Sequence, residues 1–558
     1  MRIGENKHSA LFLTIAYLLS LFLPILILTF TEKNPFLIAA TVIALPMGFY
    51  MMFSSLSSRS GVMVWWGFLF IFFSAFQIVL SYLFGDSIIA ADMFLNLLTT
   101  NPGEATELLS NIYPSVILVV LIYIPLLVIA SMHIYRKTKL STTIRRRLFL
   151  SGGAMFLAGI AMLFGCWGEI HHVLRDELFP VNVSYNLGLS ISEAHKISKF
   201  EQTSADFTYD ACRDTIPQQR EVYVLFIGEA SRADSWSLYG AERQTNPLLS
   251  QVDDLCLFNG VTTQSNTTHK SVPMILSSVH TSEHDELYRR KGIIALFKEA
   301  GFDTYFISNQ SPQGAMIDKL AAEADNVEYL ADPRMDMQLV DRMNDIISTS
   351  PSMRLFIVLH AYGSHFSYHQ RYPREFARYM PDDDVAITRQ NIEMIRNSYD
   401  NSILYTDYVL SEAISSLRRY PDLCSVFYFC SDHGEDLMDD ERMRFLHSSP
   451  TVTYYQLHIA SFAWMSPLYQ SLFADKAAAV ANNYNAPATT YSVFHTMADF
   501  ASISSPYVAT EASLCSSEFD YSAPRLYLND HNNAVKLDRN IGITPHDEYM
   551  FSQAGIEL

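Results

Sequence analysis

The sequence predicts two folding units in series, an N-terminal transmembrane domain of five helices and a C-terminal α/β domain. Leu, Ile, Phe, Val and Met dominate up to about Cys166, whereas beyond about Glu201 the composition is that of a water-soluble protein. In that second half, short continuously apolar runs alternate with helix-like stretches, the pattern of buried parallel strands between helices. A chain of 558 residues also exceeds what one core accommodates.

Five apolar stretches, residues 10–30, 36–53, 62–83, 112–134 and 148–167, reach the roughly 20 residues a bilayer requires. The first is not a cleavable signal, because a second span follows after a few polar residues. Orientation follows from the basic residues. The loop 135–147 carries Arg136, Lys137, Lys139, Arg145, Arg146 and Arg147 and is expected in the cytoplasm; Arg2 and Lys7 place the N-terminus there too. The loop 85–111 has no Lys or Arg but holds Asp86, Asp92, Glu104 and Glu107, so it is expected outside. An odd number of spans delivers everything after Trp167 to the outer side. The expected organisation is a transmembrane domain over 1–167, a linker with interfacial helices over 168–206, and the α/β domain over 207–558. For the linker, amphipathic pieces on the membrane surface and a plain connection are both open.

In the second half, strands are expected at 222–227, 304–307, 355–359 and 426–430, with helices at 291–300, 336–347 and 388–417. The first of these strands runs into Gly228-Glu229, the third into His360 and then His365, and the last into Ser431-Asp432-His433-Gly434. Open α/β sheets bind ligands beyond the carboxyl ends of their strands. Three strands therefore deliver acids and imidazoles to one edge, a candidate metal site. Carboxylate with imidazole suits zinc, with manganese also open, whereas calcium or magnesium takes oxygen alone.

A formal charge of −19 argues against a nucleic-acid partner, which would need a basic footprint, and none is expected. The six cysteines include no C-x-x-C pair, so neither a zinc knuckle nor a thioredoxin site is supported, and any disulfide pairing stays open. Few charges in the spans argue against a transporter. The stretch from Gln264 to Met274 is rich in hydroxyls and then apolar, as a loop entering a helix with Ser265 or Thr267 as its cap.

Several motifs in order complete the reading: Gly228-Glu229-Ala230-Ser231-Arg232-Ala233-Asp234, Tyr239 through Pro247, Thr268 through Pro273, Gly363-Ser364-His365, Tyr399 through Asp407, and Ser431-Asp432-His433-Gly434-Glu435. On these the chain resembles, over essentially its whole length, the phosphoethanolamine transferases that modify lipid A or lipopolysaccharide core sugars, including the transferable colistin-resistance enzymes. Their catalytic domain is sulfatase-like, of the alkaline phosphatase superfamily. The resemblance implies Thr268 as nucleophile and Glu229, Thr268, Asp432 and His433 as metal ligands. It implies His365 and His447 as catalytic or substrate-binding groups, and Asn309 as substrate-binding. It further implies one tightly bound Zn2+ with room for a second, a phosphatidylethanolamine donor, and a lipid A or other envelope glycolipid acceptor. A covalent phospho-threonine intermediate and a monomer in the Gram-negative inner membrane, with its catalytic domain in the periplasm, complete the expectation. This sequence departs from the family at Ala230 in place of threonine. It departs again at Gln264 and Met274 in place of cysteines flanking the nucleophile loop, and at Gln313 in place of a lysine. A glycerol-phosphate transferase of the lipoteichoic-acid-synthase type and a membrane-bound binding protein that has lost its chemistry are the alternative readings.

Overall fold

A computed structural model describes residues 2–31, 34–84, 89–99, 112–213, 215–312, 314–330 and 335–558. Most of the loop 85–111, with Asp86, Glu104 and Glu107, and also Gln313, lie outside the described residues. Two compact units emerge, one holding most of the chain up to Ser190 and the other built from Ile191–Met438 and Phe445–Leu558.

Among the described residues of the first unit, four helices are long and apolar enough to cross a membrane, His8–Phe30, Phe36–Ser55, Tyr113–Tyr135 and Thr142–Gly165. The expected third span is not one straight helix. It breaks into Ser60–Trp66 and Phe68–Phe84, bent by 61°, and makes a fifth span only if that pair crosses together. The break falls at Gly67, where a Cβ would lie 1.8 Å from the Tyr17 hydroxyl. Phe36–Ser55 and Thr142–Gly165 meet backbone to backbone: a Cβ at Gly48 would come within 2.8 Å of the Gly152 carbonyl oxygen. Small residues permit this close approach, the means by which helices associate in lipid, where apolar burial gives little drive. Beyond Trp167, short turns lead to a continuous helix over Val181–Thr203, so the segment is more regular than a plain connection.

The second unit is organised by a seven-stranded sheet. Its strands are β1 (Glu221–Gly228), β2 (Leu255–Leu257), β3 (Asp303–Ser308), β4 (Asn326–Tyr329), β5 (Arg354–His360), β6 (Cys424–Ser431) and β7 (Ser461–Met465). The spatial order is β2-β7-β6-β1-β5-β3-β4. β6, β1, β5, β3 and β4 run parallel, while β7 pairs antiparallel with both β6 and β2. Every residue of β1 and β6 is buried, as expected for central parallel strands covered on both faces. Aromatic packing fills the space against the helices, with the Phe297 and Phe356 rings stacked at 3.8 Å. At the entry to β1, Glu221 is fully buried and takes a two-pronged bond from Arg213, at 2.6 and 2.8 Å.

All four expected strands form. The three further strands of this seven-stranded sheet are short edge or antiparallel pieces of three to five residues. The expected helices appear as Ile293–Glu299, Met337–Thr349 and Ile392–Arg418. All six cysteines are free.

Candidate metal centre and active site

Because β6, β1 and β5 are neighbours, their carboxyl ends open side by side. Glu229 follows β1 and Asp432-His433 follow β6. The loop after β5 returns through Gly363, and Ser364 donates its N–H to the Glu229 carbonyl at 3.0 Å. Gly363 has φ +48, and a Cβ there would stand 2.7 Å from that same carbonyl oxygen. Thr268 opens the helix Thr268–Ile275. Thr267 occupies its N-cap position but makes no side-chain capping bond, so the hydroxyl-rich composition is not explained by capping.

The side chains of Thr268, Glu229, Asp432 and His433 converge. Thr268 Oγ1 lies 3.0 Å from His433 Nε2 and donates to Glu229 Oε2 at 3.3 Å. His433 Nε2 is also 3.5 Å from Glu229 Oε1 and 3.2 Å from Asp432 Oδ2. Nδ1 of His433 is 2.9 Å from the Gly434 carbonyl, which fixes the proton on Nδ1 and leaves Nε2 as a bare donor atom. Each carboxylate has one oxygen committed and one open. Asp432 Oδ1 accepts from the Ala230 and His433 N–H groups at 3.0 and 2.7 Å, and Glu229 Oε2 accepts from Gln310 Nε2 at 3.0 Å as well as from Thr268. Asp432 Oδ2 and Glu229 Oε1 are buried without a hydrogen-bond partner.

This arrangement calls for a cation. Glu229 and Asp432 are 1% and 0% exposed, and among the described residues both pair only with His433. Buried carboxylates are expensive unless paired or bound to a metal. Burial first, and then the charge of Asp432, pushes the Glu229 carboxyl well above its ordinary range, while burial lowers His433 against the pull of Asp432. Two carboxylate oxygens, one imidazole nitrogen and one hydroxyl form a donor set that fits zinc.

His447 joins the group: one ligand atom from each of Glu229, His433 and His447 lie within 4.8 Å of one another. Its ring sits 4.0 Å from that of His433, and its Nδ1 is held at 2.7 Å by Glu435 Oε2. Glu435 in turn accepts from the Tyr368 hydroxyl at 2.6 Å. Burial lowers His447 to about 4 and raises Glu435 to about 8. His365 stacks on Tyr362 at 5.2 Å and packs at a tilt against Phe366 at 4.5 Å. Burial and then the charge of Arg371 hold it well below the usual histidine range. The Asn309 amide donates to Asp336 at 2.7 Å, so its bond goes to the scaffold rather than to the metal ligands. The same Asp336 accepts from the Tyr362 and Gly363 N–H groups, at 2.9 and 2.8 Å, and pins the loop after β5.

Gln310, Asp336 and Glu435 were not singled out from sequence as site residues. Gln310 had a signal, since the strand-end rule applied to β3 leads directly to Ser308-Asn309-Gln310. Asp336 had none, because it precedes a helix remote in sequence from the strands it serves. Around Thr268, Gln264 bonds through its side chain to Thr281 at 2.9 Å and Thr490 at 3.1 Å.

Comparison with known proteins agrees with this architecture. The sulfatase family model matches residues 221–503. The model described as phosphoethanolamine transferase EptA/EptB matches residues 45–194. Kdo(2)-lipid A phosphoethanolamine 7''-transferase of Escherichia coli (strain K12) is 30% identical over 53% of this chain and 54% of its own length. The chain thus spans about half the length of the curated relatives it matches. The integral membrane lipooligosaccharide phosphoethanolamine transferase A of Neisseria meningitidis superposes with a TM-score of 0.68 at 20% identity, over 92% of this chain and 97% of that one. The C-terminal periplasmic domain of EcEptC from Escherichia coli, solved as a complex with Zn, superposes with a TM-score of 0.53 at 22% identity, over 59% of this chain and 95% of that one. With residues 221–503, just over half of its length, matched to the sulfatase model, this chain belongs to the sulfatase family.

Proposed function

We propose that the chain transfers phosphoethanolamine from phosphatidylethanolamine to an envelope glycolipid, lipid A or a lipopolysaccharide core sugar, through a covalent intermediate on Thr268. The observation that carries this reading is the convergence of Thr268 Oγ1, the open oxygens of Glu229 and Asp432, and His433 Nε2 around one point. Relatives named for transfer to lipid A and lipooligosaccharide support the substrate class.

Glu229, Asp432, His433 and Thr268 would hold a zinc ion, as the donor set and the zinc complex of the Escherichia coli domain suggest. When bound, zinc favours the deprotonated threonine hydroxyl and offsets charge on the phosphoryl oxygens. Thr268 directs its proton at Glu229 Oε2. The first turn of the helix Thr268–Ile275 adds partial positive charge beside Oγ1. In the first step the Thr268 Oγ1–phosphorus bond forms, the bond to the diacylglycerol oxygen breaks, and that oxygen takes up the proton Thr268 released toward Glu229. In the second, an acceptor oxygen attacks phosphorus, the bond to Thr268 Oγ1 breaks, and that oxygen takes up the proton the acceptor gave to His447. His447, kept neutral by burial and oriented by Glu435, accepts the acceptor's proton, with His365 flanking the pocket. Asn309 contributes to substrate binding from its anchored position on Asp336.

The chain acts as a monomer in the inner membrane, its N-terminus cytoplasmic. Residues 1–167 are embedded, 168–206 run along the interface and 207–558 lie in the periplasm, an anchored arrangement that suits a lipid donor and acceptor. Intact mass after incubation with phosphatidylethanolamine and zinc tests the chemistry. A gain of one phosphoethanolamine in the wild type and not in Thr268→Ala supports the reading. A glycerol-phosphate adduct from phosphatidylglycerol in its place, or no adduct from either lipid, refutes it.

A further inference from the structure

We infer that Gln310 is the positioning residue that decides which oxygen of Glu229 is presented to the metal ion. This rests on the metal reading proposed above and adds a residue to it.

The geometry leaves Gln310 little freedom. Its side chain is buried, and both hydrogens of its amide nitrogen are used, one on Glu229 Oε2 at 3.0 Å and one on the Ala361 carbonyl at 2.8 Å. Two acceptors on one nitrogen fix the orientation of the amide, since its oxygen would meet lone pairs at both places. The backbone is fixed as well. Ser308 Oγ donates to the Gln310 carbonyl at 3.0 Å and accepts the Gln310 N–H at 3.1 Å. His360 Nδ1 lies 3.0 Å from that same Oγ. The amide therefore reaches Glu229 from a scaffold tied to two strands, β3 and β5.

Asp432 shows what such a bond achieves. Backbone N–H groups of Ala230 and His433 saturate its Oδ1, so Oδ2 alone is open. Glu229 lies on a longer, more mobile side chain and has no backbone donor on Oε2. Gln310 supplies the equivalent bond, with Thr268 as the second donor on that oxygen, and Oε1 alone is open. Without the amide, the carboxylate is free to rotate, to offer both oxygens to the ion, or to draw Thr268 away from His433. Groups that orient a metal ligand commonly contribute about 10- to 100-fold in affinity.

The test uses the full chain in detergent and reads zinc affinity by competition with a chromophoric chelator, with thermal melting in excess chelator as the measure of metal-free folding. Gln310→Leu keeps the volume and removes the amide, and Gln310→Met is the second variant should the first not fold. The expected result is a metal-free melting temperature close to wild type with zinc affinity lowered about 10- to 100-fold. Zinc affinity within a factor of about two of wild type in a folded variant overturns the role given to Gln310. Absence of stoichiometric zinc binding in the wild type itself overturns the metal reading on which the inference stands, so the two failures are distinguishable.

Discussion

Gly363 lies against the backbone of Glu229: a Cβ at position 363 would come within 2.7 Å of the Glu229 carbonyl oxygen and 2.9 Å of its nitrogen. Gly363→Ala therefore pushes on the residue that carries the first metal ligand, and does so in a left-handed conformation that alanine resists. The expected cost is about 1–3 kcal/mol of stability together with weakened zinc binding. Melting temperature and chelator competition check the two parts. A variant unchanged in both would show that the loop after β5 relaxes without moving Glu229.

Ala230 sits at φ +55, directing its N–H to Asp432 and its carbonyl to the Tyr399 hydroxyl. Left-handed backbone costs a non-glycine residue about 1–2 kcal/mol. Ala230→Gly relieves this, less the extra freedom glycine has when unfolded, and is expected to stabilise the chain by up to about 1 kcal/mol. Ala230→Val is expected to destabilise it, because a branched side chain tolerates this region least. Chemical denaturation of both variants decides; a less stable glycine variant would mean the conformation carries no strain.

Asp407 provides a pH-dependent test away from the metal ligands. It accepts the Leu248 and Leu249 N–H groups at 2.9 and 3.0 Å, and burial lifts its carboxyl from 3.8 to about 7. The folded chain thus retains a proton that the unfolded chain releases. The associated stability is complete below about pH 3.8 and is lost as pH rises through about 7, at most a few kcal/mol. Melting temperatures at pH 5 and pH 8 should fall further for wild type than for Asp407→Asn. Parallel curves would contradict the shift.

Gly152 tests the membrane unit. A Cβ there would meet the Met51 Cβ at 2.8 Å and the Gly48 carbonyl oxygen at 2.9 Å. Gly152→Leu should separate the helices Phe36–Ser55 and Thr142–Gly165, lowering thermal stability in detergent by about 1–3 kcal/mol. Gly153→Leu, where the nearest atom is the Met52 sulfur at 3.8 Å, should be nearly silent.

What was legible in the sequence follows from how each feature is encoded. β1, β3, β5 and β6 are continuous apolar runs because parallel central strands are covered on both faces, so they can be read directly. β2 and β4, with three and four residues and only partial burial, leave no such trace. Gly67 within an apolar run looks harmless until the Tyr17 hydroxyl is placed against it. At the site, Glu229, Asp432 and His433 stand directly after strands, where topology announces them. Thr268 needed a family resemblance to be singled out among hydroxyls. Asp336 and Glu435 act by closing hydrogen bonds on groups distant in the chain, Gly363 for the first and Tyr368 for the second. Such bonds have no periodicity or spacing to betray them.

The loop that carries Thr268 is braced by Gln264, whose amide spans Thr281 and Thr490, while every cysteine in the chain stands alone. Amide–hydroxyl bonds form as the chain collapses and need no oxidant, isomerase or electron acceptor. Assembly of the nucleophile loop therefore calls on no cysteine: its brace is complete as soon as Gln264 meets the two threonine hydroxyls.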